Sequence, residues 1–247
     1  MSLKFTNNDH LNDSYDAIII GSGLGGLTTA AILSKLGKKV LVLEKHFKAG
    51  GYTHTFRRDN FEWDVGLHYV GEVQHERSLA RRLFDYITDS NLKWASVGAN
   101  YDRIIFPDKT YDLTAPRRRF VGDMIKHFPS EENAIKRYLA LLDEVARSGK
   151  TYFANKALPE PVASLFYPFM ARKFLSFSDK FTKNVIGGLT SNPKLLGVLT
   201  GQWGDHGLPP AASSFVMHAM VARHYLNGGS YPVGGSRSIA ENIIPVI

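Results

Sequence analysis

"IIIGSGLGGLTTAAILSKLGKKVLVLEK", residues 18 to 45, decides the fold. The β-branched run that ends at Ile20 suits a strand buried on both faces of a parallel sheet. Gly21, Gly23 and Gly26 follow with G-x-G-x-x-G spacing. The first glycine permits a tight turn, the second lets a pyrophosphate approach the backbone, and the third lets helix and strand lie close. Leu27, Ala30, Ala31 and Ser34 then recur at helical spacing, and Gly37 ends the helix. The N-terminus of that helix offers free N–H groups and the positive end of a dipole to a phosphate. The second strand closes on Glu44, a carboxylate placed to accept from both hydroxyls of a ribose. Ser22, Gly25 and Lys45 lie in the same turn and strand end and count as candidate contacts. Strand, glycines, helix, strand and acid, in this order, predict a dinucleotide-binding α/β unit. The run from Ala17 to Ser34 is uncharged, but its glycines read as strand, turn and helix rather than as a membrane span.

The fingerprint does not distinguish NAD from FAD. The next stretch, "HFKAGGYTHTFRRDNFEWDVGLHYVG" (residues 46 to 71), adds Gly50 and Gly51 just past the acidic strand end and then alternates like an edge hairpin. With "GQWGDHGLPP" and "SSFVMHAMVARHYLNGGSYPVGGSRSIAENIIPVI", it resembles the flavoprotein amine-oxidase superfamily. The likeness is to the branch of phytoene desaturases, carotenoid isomerases and retinol saturases. The resemblance runs from about Tyr15 to the last residue.

It implies a Rossmann-like FAD/NAD(P)-binding domain of the glutathione-reductase three-layer type, with an inserted α+β substrate domain. The implied division is 1–72 for the first flavin segment, 73–229 for the insertion and 230–247 for the return. FAD is the implied cofactor, with Gly50 and Gly51 lying along it. The implied chemistry is hydride transfer at flavin N5 to or from a long apolar isoprenoid, as desaturase, saturase or isomerase. An amine oxidase, or a nucleotide-binding module without redox chemistry, are the alternatives. Family members are about twice this length. The chain is therefore expected to be a fragment, or to be completed by a partner chain or C-terminal half, and to be inactive alone.

The middle reads as two alternating runs around Pro107-Asp108-Lys109, a hairpin, and then a helix from a Ser130 cap to Gly149. Ile135, Tyr138, Leu139, Leu142 and Ala146 form its core face. Leu165, Phe166, Phe169, Met170, Phe174 and Phe177 crowd the next segment beside Arg172, Lys173, Lys180 and Lys183. The plain reading is a packed wall. The sharper one is a membrane-facing entrance, with apolar side chains toward lipid and basic ones at headgroups. Pro161 and Pro168 are expected to interrupt a clean amphipathic helix there.

Composition bounds the rest. The 247 residues carry a formal charge of +7 and no cysteine, which leaves no disulfide, thiolate nucleophile or cysteine metal site. Basic residues are scattered, so no nucleic-acid partner is expected. Residues 1–16 lack the apolar core of a signal peptide, and a cytoplasmic location, with peripheral membrane contact, is the expectation. The histidines form no metal-ligand spacing. His218 reads as a core histidine of an apolar helix, whereas His68 and His206, in glycine-rich segments, are candidates for polar contacts near flavin or substrate.

Overall fold

The computed structural model describes residues 14–247; the expectation about a leader falls mostly on residues outside that range. Along the chain run β1 (Ala17–Ile20), α1 (Leu24–Lys35), β2 (Val40–Leu43), β3 (Thr55–Arg58), β4 (Phe61–Asp64), β5 (Val70–Gly71), α2 (Leu79–Ile87), β6 (Trp94–Ser96), β7 (Asn100–Ile105) and β8 (Thr110–Thr114). They are followed by α3 (Arg117–His127), α4 (Glu132–Lys156), α5 (Glu160–Ser178), α6 (Thr182–Gly187), α7 (Pro193–Leu199), α8 (Phe215–Tyr225), β9 (Gly229–Pro232) and α9 (Ser238–Ile243).

Two compact units result. The first holds the described residues through Tyr69, Val73–Ala95 and Ser230–Ile247; the second holds Val70–Glu72 and Ser96–Gly229. Val73–Ala95 thus clusters with the first unit, unlike the sequence-based division at residue 73.

In the first unit β1 and β2 are parallel, with Ala17 opposite Val40 and Ile20 opposite Leu43. Leu27, Ala30 and Ala31 of α1 are buried. The helix closes as its helical spacing implied: Gly37 has φ +76°, its N–H reaches the Ser34 carbonyl, and the Lys38 N–H reaches that of Leu33. This left-handed cap satisfies two end carbonyls and favours glycine. The strand burial differs from expectation. Ile18 and Ile20 are 60% and 88% exposed, so one face of β1 is open. The cause is that the parallel sheet has two strands among the described residues, with no second helical layer across Ile18 and Ile20. The three-layer arrangement is represented by one helix on one face. The β3–β4 hairpin pairs Thr55 with Asp64 and Arg58 with Phe61. Asp64 accepts from the Tyr231 hydroxyl and, at 2.5 Å, from Ser236, and Arg237 lies 3.3 Å from Glu62. These polar contacts fasten the returning segment to the hairpin.

In the second unit β7 and β8 form the antiparallel hairpin read from the sequence, with a register shift between Asn100 and Asp102. Helix α4 starts just after the expected cap and runs past the expected stop, to Lys156. Ser130 lies in a short 3-10 turn, the cap position is Glu131 without a side-chain bond, and Gly149 sits inside the helix. Gly149 does not stop α4 because its missing side chain makes room: a Cβ there would stand 3.3 Å from the Phe174 ring of α5. Helix α5 is continuous across both prolines. Pro161 occupies the first turn, where its missing N–H has no intrahelical carbonyl to lose. Pro168 and Ser164, four residues before it, are both exposed, where water can take the place of the absent hydrogen bond.

Candidate nucleotide-binding site

The glycine turn is built as its spacing requires. Gly21 has φ +97°, a left-handed conformation that favours glycine. A Cβ on Gly26 would overlap the Gly21 carbonyl oxygen, so that position is closed to any side chain. Gly23 and Gly25 are the reverse case, with nothing within 4 Å of the place a Cβ would take. Gly23 is the N-cap of α1 and supplies no side-chain cap, so no side chain occupies the first-turn N–H groups of the helix. An open cradle over unpaired helix-end donors is the structure that binds a phosphate.

Glu44 leaves β2 beside this turn. Its Oε2 accepts from the Ser22 N–H at 2.7 Å and the Ser22 hydroxyl at 2.5 Å, and its Oε1 accepts from the His46 N–H at 2.7 Å. The Ser22 hydroxyl bond, then the His46 and Ser22 amides, pull its carboxyl down to about 2. Both acceptor sites of Oε2 are engaged, whereas Oε1 keeps one for another donor, so these clamps aim Glu44 without exhausting it. The sequence reading missed the clamp, because the partners are two backbone amides and a serine whose direction no spacing reveals. A stability consequence follows. The carboxyl is held below its ordinary value of 4.5 in the folded state, so its contribution is full above pH 4.5 and is lost as pH falls toward 2. Glu44→Gln should remove that limb, and denaturant melts of both proteins between pH 5 and 2 check it; parallel curves would refute it.

Gly50 and Gly51 complete the wall. Gly50 bridges to Gly23, and its N–H donates to the Ser22 carbonyl at 3.0 Å. Both have positive φ, 114° and 56°. A Cβ on Gly51 would come within 2.8 Å of the Gly23 Cα, and one on Gly50 within 3.2 Å of the Ala240 Cβ on α9. The second glycine pair therefore rests on the first. Lys45 is exposed at the strand end, and the His46 and His54 rings meet at a tilt of 43° with centroids 4.7 Å apart.

The candidate histidines are dispersed. His68 is exposed in the first unit. His206 is half-buried in the second, desolvation lowers its pKa, and its Nε2 has no hydrogen-bond partner among the described residues. Neither joins the glycine cradle in the contacts of the structure. His218 is the buried core histidine its helix implied, with Nε2 2.9 Å from the Tyr138 hydroxyl. Among the described residues, no group of three or more His, Asp or Glu is placed to hold a metal ion.

Fold and cradle define a Rossmann-like α/β protein built for a nucleotide cofactor. The NAD(P)-binding Rossmann-like domain family matches residues 19–87. The chain is homologous to the all-trans-retinol 13,14-reductases and, more distantly, to the prolycopene isomerases. It is 39% identical to the Danio rerio all-trans-retinol 13,14-reductase, covering 95% of this chain and 40% of that protein. An inactive all-trans-retinol 13,14-reductase, also from Danio rerio, is 34% identical over the same shares, and prolycopene isomerase 1 of an Oncidium hybrid cultivar is 27% identical over 93% and 40%. The chain thus spans about two fifths of the length of the curated relatives it matches. Among solved structures it resembles putrescine oxidase bound to putrescine, with TM-score 0.58, 19% identity, and 94% of this chain and 49% of that one covered. A Pyrococcus furiosus protein gives TM-score 0.59 at 19% identity, over 93% and 48%. At such identity these structures share the fold.

Proposed function

We propose that the chain forms the part of a FAD site that holds the adenosine diphosphate end, in an oxidoreductase acting on a long apolar isoprenoid, a retinoid or carotenoid. The observation that carries this reading is homology to retinol reductases over 95% of the chain, with the glycine cradle and Glu44 in place. The cradle fits such a group: open space over Gly23 and Gly25 for the pyrophosphate, helix-end donors beneath it, and a clamped carboxylate whose Oε1 keeps an acceptor site for a ribose hydroxyl. FAD, when bound, supplies a ring nitrogen that takes up or delivers a hydride. The work of these residues is to bind and orient. Gly21 and Gly26 set the turn, Gly50 and Gly51 close its side, and Ser22 and His46 aim Glu44.

Reduction of a double bond is favoured over isomerisation, because the reductase relatives are the more similar ones. Turnover of small amines is the weaker reading, since putrescine oxidase shares the fold at 19% identity. A non-catalytic nucleotide-binding role is the second reading, favoured by the 34% identity to a relative described as inactive. Purified full-length protein should show a flavin absorption band and, with a reductant, saturate all-trans-retinol. Glu44→Arg should lower flavin occupancy about tenfold or more, since a charged hydrogen bond contributes ~1.5–3 kcal/mol. Equal flavin content in both proteins would sink the assignment of Glu44. Bound flavin without turnover of any polyene would favour the non-catalytic reading.

A further inference from the structure

Helix α8 has a core face and an opposite face that the described residues leave partly open. Val216, Ala219 and Ala222 are buried on the first. Met217, Met220, Val221 and His224 fall within an arc of roughly 100° on the second, given the helical repeat. Met217 and Met220 are 49% and 44% exposed, and Val221 and His224 are half-buried. This face runs for roughly 10 Å along the axis, holds no charged residue and ends on one polar side chain. The ring of His224 is held in place. The Gly71 N–H of β5 donates to its Nε2 at 2.8 Å, and a Cβ on Gly71 would overlap the His224 carbonyl oxygen. With Nε2 accepting, the neutral ring carries its proton on Nδ1. Desolvation lowers the His224 pKa, against the opposing charge of Glu72, so the ring is neutral at neutral pH. Nδ1 has no hydrogen-bond partner among the described residues, although the ring is half-buried. Glu72, next to Gly71, has φ +65°, a conformation uncommon outside glycine and concentrated at ligand sites.

We propose that this face holds an apolar polyene alcohol, with Met217, Met220 and Val221 along its chain and the His224 Nδ1–H donating to its hydroxyl oxygen. The proposal rests on the isoprenoid reading above, and it names the residue that selects an alcohol over a hydrocarbon. A protein interface spreads its hydrogen bonds across its area. This face offers one donor, at its end, and a long apolar chain with a terminal hydroxyl has the same layout. Methionine is unbranched and polarizable, so two of them follow a conjugated chain closely without demanding one exact shape. The donor at Nδ1 adds selectivity. A hydroxyl oxygen satisfies it, whereas a hydrocarbon end would cover it and leave it unpaired, which costs free energy. A site built around such a donor rejects the analogue that lacks the hydroxyl.

The test is a fluorescence titration of purified full-length protein with two ligands. One is all-trans-retinol, and the other is the hydrocarbon with a methyl group in place of its hydroxymethyl group. The parent should bind the alcohol about fivefold more tightly or better, the contribution of one hydrogen bond. His224→Gln keeps an acceptor for the Gly71 N–H and removes the donor at Nδ1, so it should bind both ligands alike. His224→Asn puts an amide N–H where Nδ1–H stood and should keep the preference. A histidine that only supports Gly71 gives the reverse pattern. Retention of the preference by His224→Gln, or its loss in His224→Asn, therefore overturns the proposal. Met217→Glu/Met220→Glu should weaken both ligands about tenfold or more, with flavin content and melting temperature unchanged. Undiminished binding in that variant overturns the proposal. So does a fall in its melting temperature, because the rest of the protein or a second copy would then cover the face. A parent that binds both ligands equally overturns the role of His224 and leaves the isoprenoid reading standing. A parent that binds neither removes that reading and this proposal with it.

Discussion

Gly26→Ala should prevent the first unit from folding, whereas Gly23→Ala should fold and fail to hold its nucleotide. The two glycines are three residues apart and face opposite constraints. A methyl on Gly26 overlaps a backbone carbonyl, which can move only if β1 and α1 separate. Overpacking of this kind costs ~3 kcal/mol or more, a large part of a margin of ~5–15 kcal/mol. Gly23 has φ −63° and ψ 171°, open to any residue, and an empty place for a Cβ. Alanine there should leave stability level or raise it by up to ~1 kcal/mol, because it restricts the unfolded chain. The same methyl stands where the phosphate is proposed to lie, so affinity should fall ~10-fold, and ~100-fold for Gly23→Val, or ~2.7 kcal/mol. Calorimetry and flavin titration of the two variants separate the outcomes. A Gly26→Ala protein that melts with the parent would refute the packing argument, and full nucleotide occupancy in Gly23→Val would refute the placement of the phosphate.

Acidification from pH 6.5 to about 4 should cost the second unit on the order of 3 kcal/mol through one side chain, His218. Burial, then the neighbouring His206, pushes its pKa from 6.5 to about 4, and Tyr138 engages its Nε2. In that window the unfolded chain binds a proton that the folded chain refuses, so stability is full above pH 6.5 and declines as the pH falls. His218→Gln keeps a polar partner for Tyr138 and should remove most of the slope. Urea melts of parent and variant at pH 7.5, 5.5 and 4 measure it. An unchanged slope in the variant would assign the effect elsewhere. Glu44 acts at lower pH, between 4.5 and about 2, so the two limbs are separable in one titration.

What could be read from residue order was whatever residue type alone enforces. The turn at Gly21, the close approach at Gly26 and the cap at Gly37 are backbone requirements that glycine announces. The acid after β2 is announced by its distance from them. The hairpins at 55–64 and 100–114 showed in their alternation. Features that depend on what lies opposite were not legible. The β-branched composition of β1 implied burial on both faces, yet Ile20 is almost fully exposed, because burial belongs to neighbouring layers and not to the strand. The prolines of α5 suggested interruption, but one sits in a first turn and the other at an exposed position, where a lost backbone bond is tolerated. The clamp on Glu44 depends on amide directions that appear only when the turn is formed. His68 and His206 were singled out for their glycine-rich surroundings, which mark loops as readily as sites.

Gly149 carries a last consequence, for drift at that position. Alanine would improve the intrinsic propensity of α4 by ~1 kcal/mol, and its methyl would press on the Phe174 ring from 3.3 Å. The gain and the cost oppose each other at similar size, so the exchange can pass nearly silent in a melting experiment. It would not be silent in geometry, because relieving the contact moves α5 outward or turns it about its axis. The exposed side chains of Val162, Leu165, Phe166 and Phe169 ride on that helix. Residue 149 is thus a spacer that helps set where α5 and its exposed side chains stand.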